Sequence, residues 1–96
     1  MDPGDIYLAD LHHERRDHVL VLSSSRFHQI SQRVIVAPRI RVAPIADELP
    51  WRITVDSWIF AVDLLRSVPI DALLDRVDRA PARATNAARR AMLAIT

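Results

Sequence analysis

Gly4-Asp5-Ile6-Tyr7-Leu8-Ala9-Asp10-Leu11, Val19-Leu20-Val21-Leu22-Ser23 and Val34-Ile35-Val36-Ala37-Pro38 are three short apolar runs separated by polar turns. β-Branched side chains suit a pleated, half-buried surface, so the runs read as consecutive strands of a small barrel. The first strand, Asp5–Leu11, sets Ile6, Leu8 and Asp10 on one side and Tyr7, Ala9 and Leu11 on the other, which implies burial of both faces. A second strand is expected over Asp17–Ser23. Ser23-Ser24-Ser25 ends it and offers hydroxyls to cap a brief helical turn, Arg26–Ile30. The third strand, Arg33–Ile40, carries Pro38 near its exit, where a missing ladder donor is tolerated on an edge or at a bulge.

Working outward, Val42–Pro50 holds two prolines and mixed polarity and reads as a loop crossing the barrel. Trp51–Val55 and Ser57–Val62 alternate as two strands around an Asp56-Ser57 turn, and Leu64–Ile70 is a final short strand stopped by Pro69. From Asp71 the period changes: Leu73, Leu74 and Val77 stand at helical spacing, so a short helix capped by Asp71 is expected. The terminal segment is a helix with Asp78 at its start, Pro81 in its first turn and an apolar stripe of Ala84, Ala88, Ala91, Met92 and Ile95. The whole is an α+β chain: a small β-barrel of five to seven strands with short helices and a C-terminal helix, in one domain over residues 1–96.

At 96 residues the chain buries only about two-thirds of its unfolded surface, and dimerisation would add to a compact core. Half of the residues are hydrophobic, which excludes a disordered chain. No apolar run is long enough to span a membrane, and Met1-Asp2-Pro3-Gly4-Asp5 lacks the features of a secretory signal, so a cytoplasmic location is expected. Cysteine is absent, which excludes disulfides and thiolate metal sites. All 13 basic residues are arginine. Guanidinium forks grip phosphates in two places, but arginine in place of lysine is also what a GC-rich genome encodes throughout. With a net charge of only +1, any nucleic-acid surface must come from local clusters: Arg15-Arg16, Arg39 with Arg41, and Arg89-Arg90.

A Gly4-Asp5 opening into the first strand, a second strand ending in Leu22-Ser23 and a third ending in Ala37-Pro38 resemble the start of the MazF/PemK toxin family. The resemblance implies an SH3-like barrel, a homodimer, a cognate antitoxin as partner and metal-independent cleavage of single-stranded RNA. In that family an Arg-Pro pair enters the second strand and a Pro-x-Thr-Ser sequence follows the third, and the arginine and threonine are assigned to cleavage. The matching positions here are Asp17-His18 and Ile40-Arg41. Trp51, Trp58 and Asp63–Ile70 are similar instead to the related gyrase-directed CcdB toxins, although the chain ends Leu93-Ala94-Ile95-Thr96 rather than in their Trp-Gly-Ile tail. Two alternatives follow: a non-catalytic toxin binding a protein target such as DNA gyrase, or an inactive member that only binds antitoxin.

Metal-free RNA cleavage needs a base for the 2′-hydroxyl, an acid for the departing 5′-oxygen and a cation for the phosphate. The candidates are Arg16 as phosphate clamp, His18 for proton transfer and Arg39 as a second cation, with Arg15 and Arg41 as further RNA contacts. Each has a plainer reading. Arg15 and Arg16 beside Glu14 and Asp17 make a solvated ion-pair cluster, and His18 is a structural histidine. Ser23 lacks an evident base and reads as a capping hydroxyl, while Trp51 and Trp58 serve either the core or base stacking. His12 and His13 are adjacent, so they point apart on an extended chain, and neither metal nor cofactor is expected.

Overall fold

The computed structural model describes residues 1–11, 16–41 and 49–95. The elements are β1 (Asp5–Ala9), β2 (Asp17–Val21), α1 (Ser25–Ser31), β3 (Arg33–Ile40), β4 (Arg52–Val55), β5 (Trp58–Ala61), β6 (Arg66–Pro69), β7 (Leu73–Arg79) and α2 (Ala82–Ile95). Single 3-10 turns, Val62–Leu64 and Ile70–Ala72, lead into β6 and β7. The strands form one seven-stranded sheet in the order β4-β5-β3-β2-β1-β7, and β6 also pairs with β3. Every pairing is antiparallel. The loop expected over Val42–Pro50 falls largely on residues 42–48, outside the described residues.

β3 organises the sheet. β2 runs along one edge of it, while the other edge is shared: β6 pairs with Arg33–Val36 and β5 with Arg39 and Ile40. Ile35 turns its amide and carbonyl toward β2's end, to Ser23 Oγ and Leu22 N–H. Hydrogen-bonding direction alternates along a strand, so Pro38 faces the shared edge. There it lies in the gap between the β6 and β5 pairings, where its missing N–H deprives no partner.

Alternation along β2 sends Leu20 to one core and Val19 and Val21 to another. The first core joins Ile6, Leu20, Ala37, Ile53 and the fully buried Phe60 to Ala84, Ala88 and Ala91 of α2. The alanine face lets α2 approach the sheet closely. The second gathers Ala9, Val19, Val21, Val34, Val36, Val68 and Leu73 on the opposite face. Burial of both faces is what the first strand's two apolar sides implied.

Gly4 holds the two ends of this arrangement together. Its N–H donates to Val21 O (2.9 Å) and its carbonyl accepts from Ala80 N (2.7 Å). Its φ of +97° is one that side-chain-bearing residues avoid, and Thr85 of α2 stands directly over its Cα. Next to it, the buried Asp5 carboxylate accepts from Asp2 N–H (2.9 Å) and from Arg79 (2.6 Å), with Arg76 at 3.7 Å. Burial alone would raise its pKa, but the Asp2 amide and the two guanidiniums outweigh burial and hold it below the usual value.

Two expectations are corrected by the structure. Leu73, Leu74 and Val77 lie on strand β7, not on a helix; Asp71 sits in the 3-10 turn before it and caps nothing with its side chain. β7 pairs with β1 over most of its length, with two register shifts, so a contact between chain ends overrides a local spacing that also fits a helix. Asp78 is consequently a strand residue whose carboxylate accepts from Arg79 N–H, and α2 starts at Ala82, with Pro81 O accepting from Ala84 and Thr85. The N-cap of α1 is Ser24, whose Oγ accepts from Phe27 N–H.

Candidate nucleic-acid interface

The pairing of β2 with β3 runs Val21↔Val36, Leu20↔Ala37, Val19↔Pro38. One residue further along each strand come His18 and Arg39, which the ladder therefore sets side by side at the sheet's end. β5 lies on the other flank of β3, with Ile40↔Ile59 as its outermost pair, and this brings Trp58 alongside. The His18 ring stacks on the Trp58 indole, centroids 4.4 Å apart and planes inclined by 21°. The Arg39 guanidinium carbon is 5.7 Å from the same indole's centroid, a cation–π distance. Trp58 also meets Phe60 edge-on, so the platform is anchored in the core.

Asp17 opens β2 beneath this pair. Its carboxylate accepts from the His18 N–H (2.8 Å) and from Arg41 (2.7 Å), and Arg39 approaches to 3.8 Å. The side chain is only 15% exposed. Burial pushes its pKa up, yet the His18 amide, Arg41 and Arg39 together hold it below the ordinary value, so at neutral pH it is a carboxylate and a poor proton acceptor. The His18 Nδ1 is 3.8 Å from Asp17 Oδ1, too far for a hydrogen bond, and among the described residues it is buried without a hydrogen-bond partner.

Asp17, Pro38, Arg39, Ile40, Leu64 and Arg66 line a cleft of about 370 Å³ here. Arg39 and Arg41 approach the Asp17 carboxylate, and Arg39 and Arg66 line the cleft beside it. The structure brings His18, Arg39 and Arg41 together. Arg16 is exposed one residue before β2 and makes no ion pair among the described residues, and Asp17 pairs with Arg41 and Arg39 rather than with it. Arg15, Glu14, His12 and His13 lie outside the described residues.

Ser23 has a different task from capping. Its Oγ accepts the Ile35 N–H (2.9 Å) and shares a hydrogen bond of 2.6 Å with His28 Nε2. Both side chains are buried. Burial, with the nearby amino terminus, lowers the His28 pKa and keeps the ring neutral. The pair ties α1 to β2 and β3. Nothing in residue spacing announced it, because His28 sits five residues beyond Ser23 across the helix start.

The chain is thus a small antiparallel β domain with its C-terminal helix packed over one face and arginines and a histidine at one end of the sheet. The chain belongs to the PemK-like, MazF-like toxin family of type II toxin–antitoxin systems, whose family model matches residues 2–96. It is similar in structure to an endoribonuclease in complex with its cognate antitoxin from Mycobacterial species (TM-score 0.82, 14% identity, 98% of this chain and 92% of that one). It is also similar to MazF from Deinococcus radiodurans (TM-score 0.79, 19% identity, 99% and 94%). The MazE–MazF complex of the same organism gives a TM-score of 0.80 at 19% identity, over 99% and 94%. No curated protein matches the sequence. No helix among the described residues is long and apolar enough to cross a membrane.

Proposed function

We propose that this toxin is a metal-independent endoribonuclease that cleaves single-stranded RNA, works as a homodimer in the cytoplasm and is neutralised by a cognate antitoxin. The observation that carries the reading is the β2–β3 register, which seats His18 beside Arg39 on the Trp58 ring. In this mechanism His18 Nε2 takes the proton of a 2′-hydroxyl, whose oxygen attacks the adjacent phosphorus. Arg39 and Arg16 hold the phosphate and offset the charge that grows on its oxygens, and Arg41 and Arg15 contact the flanking backbone. The bond to the 5′-oxygen breaks, water supplies its proton, and the products carry a 2′,3′-cyclic phosphate and a 5′-hydroxyl. A positioned base contributes about 10²–10⁴-fold and each preorganised cation about 10²–10³-fold. The antitoxin is expected to lay an acidic segment over the same arginines, which excludes substrate by charge and by volume.

Expression without antitoxin tests the proposal. Growth arrest with newly formed 5′-hydroxyl RNA ends, lost together in His18→Ala and Arg39→Ala, supports it. Arrest with intact RNA moves the toxin to the protein-targeting class, and no arrest leaves it an antitoxin-binding member without activity.

A further inference from the structure

The carboxylate of Asp17 sits against two of the site's guanidiniums, Arg41 and Arg39. It takes the same donors a phosphodiester recruits: one backbone N–H at 2.8 Å, one guanidinium at 2.7 Å and a second at 3.8 Å. It does so on the wall of the 370 Å³ cleft, and it is mostly shielded from water. Guanidinium forks match carboxylate and phosphate alike, so either anion satisfies this donor set. With Asp17 in place, the Arg39–Arg41 pair presents a net charge of +1 rather than +2 to anything entering the cleft.

We propose that Asp17 is an internal substitute for phosphate that sets the affinity of this site: an RNA phosphodiester binds only by displacing Asp17 from Arg41 and Arg39 or by sharing them with it. The inference rests on the RNA-binding part of the proposed function. A weak monovalent anion cannot compete with a tethered carboxylate, since the tether supplies a high local concentration. A polyanion can, because phosphates on either side engage the remaining arginines while one contests Asp17. Asp17 is in this sense a specificity-determining residue that favours long single strands over isolated phosphate. The alternative role for the same contacts is to hold the two arginines in place, and the two roles predict opposite signs.

The test uses a fluorescein-labelled single-stranded 2′-O-methyl RNA, which cannot be cleaved, titrated with the full chain, Asp17→Asn and Asp17→Ala, with thermal unfolding of each recorded. Asp17→Asn keeps an acceptor for the His18 amide while removing the charge. Binding is expected to tighten by about tenfold at low salt in Asp17→Asn, the effect of deleting one like charge a few Å from a phosphate in a partly shielded site. The log–log salt dependence should steepen by about 0.7–1.4, one to two further counterions released. Both gains should vanish in Asp17→Asn/Arg41→Gln. Unchanged or weaker binding by an Asp17→Asn variant with normal unfolding overturns the proposal and makes Asp17 a support for the arginines. Absence of binding in all forms overturns it too. With the same sequence as unmodified RNA run alongside to read cleavage, tighter binding by Asp17→Asn without cleavage of that unmodified strand by any form sustains this inference while removing the ribonuclease. Cleavage by the unaltered chain with no gain in Asp17→Asn does the reverse.

Discussion

Gly4→Ala should be strongly destabilising. The backbone there has φ +97°, and a Cβ built on it meets Thr85 Oγ1 at 2.4 Å and Thr85 Cγ2 at 3.3 Å. Left-handed backbone costs a side-chain-bearing residue about 1–2 kcal/mol. The steric part adds about 1–3 kcal/mol, since Thr85 is β-branched and held near Pro81 O in the first turn of α2. Reduced freedom of the unfolded chain returns about 0.4–1 kcal/mol. The net loss is about 2–4 kcal/mol, which for a urea slope of about 1–2 kcal/mol/M lowers the midpoint by roughly 1–4 M. Thr85→Ala in the same chain should restore the steric part only, so a double-mutant cycle gives a coupling of about 1–3 kcal/mol. A midpoint within about 0.3 M of the parent, or a cycle with no coupling, would refute this placement of the glycine under α2.

Trp58→Ala removes the stack under His18 and the ring beside Arg39, and should lower RNA cleavage by about 10²-fold, whereas Trp58→Phe keeps most of it; single-turnover rates decide. His28 has a folded pKa below its ordinary 6.5, so the unfolded chain takes up a proton first as pH falls. Its stability contribution is full above about pH 6.5 and declines from there down to the lowered folded value, a decline that urea midpoints should show and His28→Gln should flatten. Asp5 is also held low, so its contribution is full above the usual carboxylate value near 3.9 and is lost as pH falls through its folded value. Asp5→Asn should cost about 1–3 kcal/mol at neutral pH and progressively less in acid, as urea titrations across pH would record.

β3 was legible residue by residue, because a run such as Val34-Ile35-Val36 bounded by Gln32 and Arg41 has one reading at every level. The ends of β1 and β2 run shorter than their apolar patterns, since Leu11 and Leu22 are buried beyond the last ladder pair. β7 was not legible: Leu74 and Val77 stay largely exposed, so no buried alternation marks it, and its pairing with β1 spans nearly the whole chain. At the site, His18, Arg39 and Arg41 could be proposed from their nearness to the strand ends. Their meeting point could not, because it depends on Trp58 arriving from β5 and on Asp17 turning toward β3 rather than toward Arg16. Trp51 and Trp58 both pack partly buried on the first core, so the choice between core and surface was not exclusive for Trp58.

The central claim is most directly tested by incubating the purified chain with a long single-stranded RNA in the presence of a chelator and mapping every new end. Discrete cuts at a recurring short sequence, bearing 5′-hydroxyls and reduced by about 10²–10³-fold in Arg39→Ala, are the expected result. RNA left whole by a folded sample, or cut equally by His18→Ala and Arg39→Ala, would contradict it.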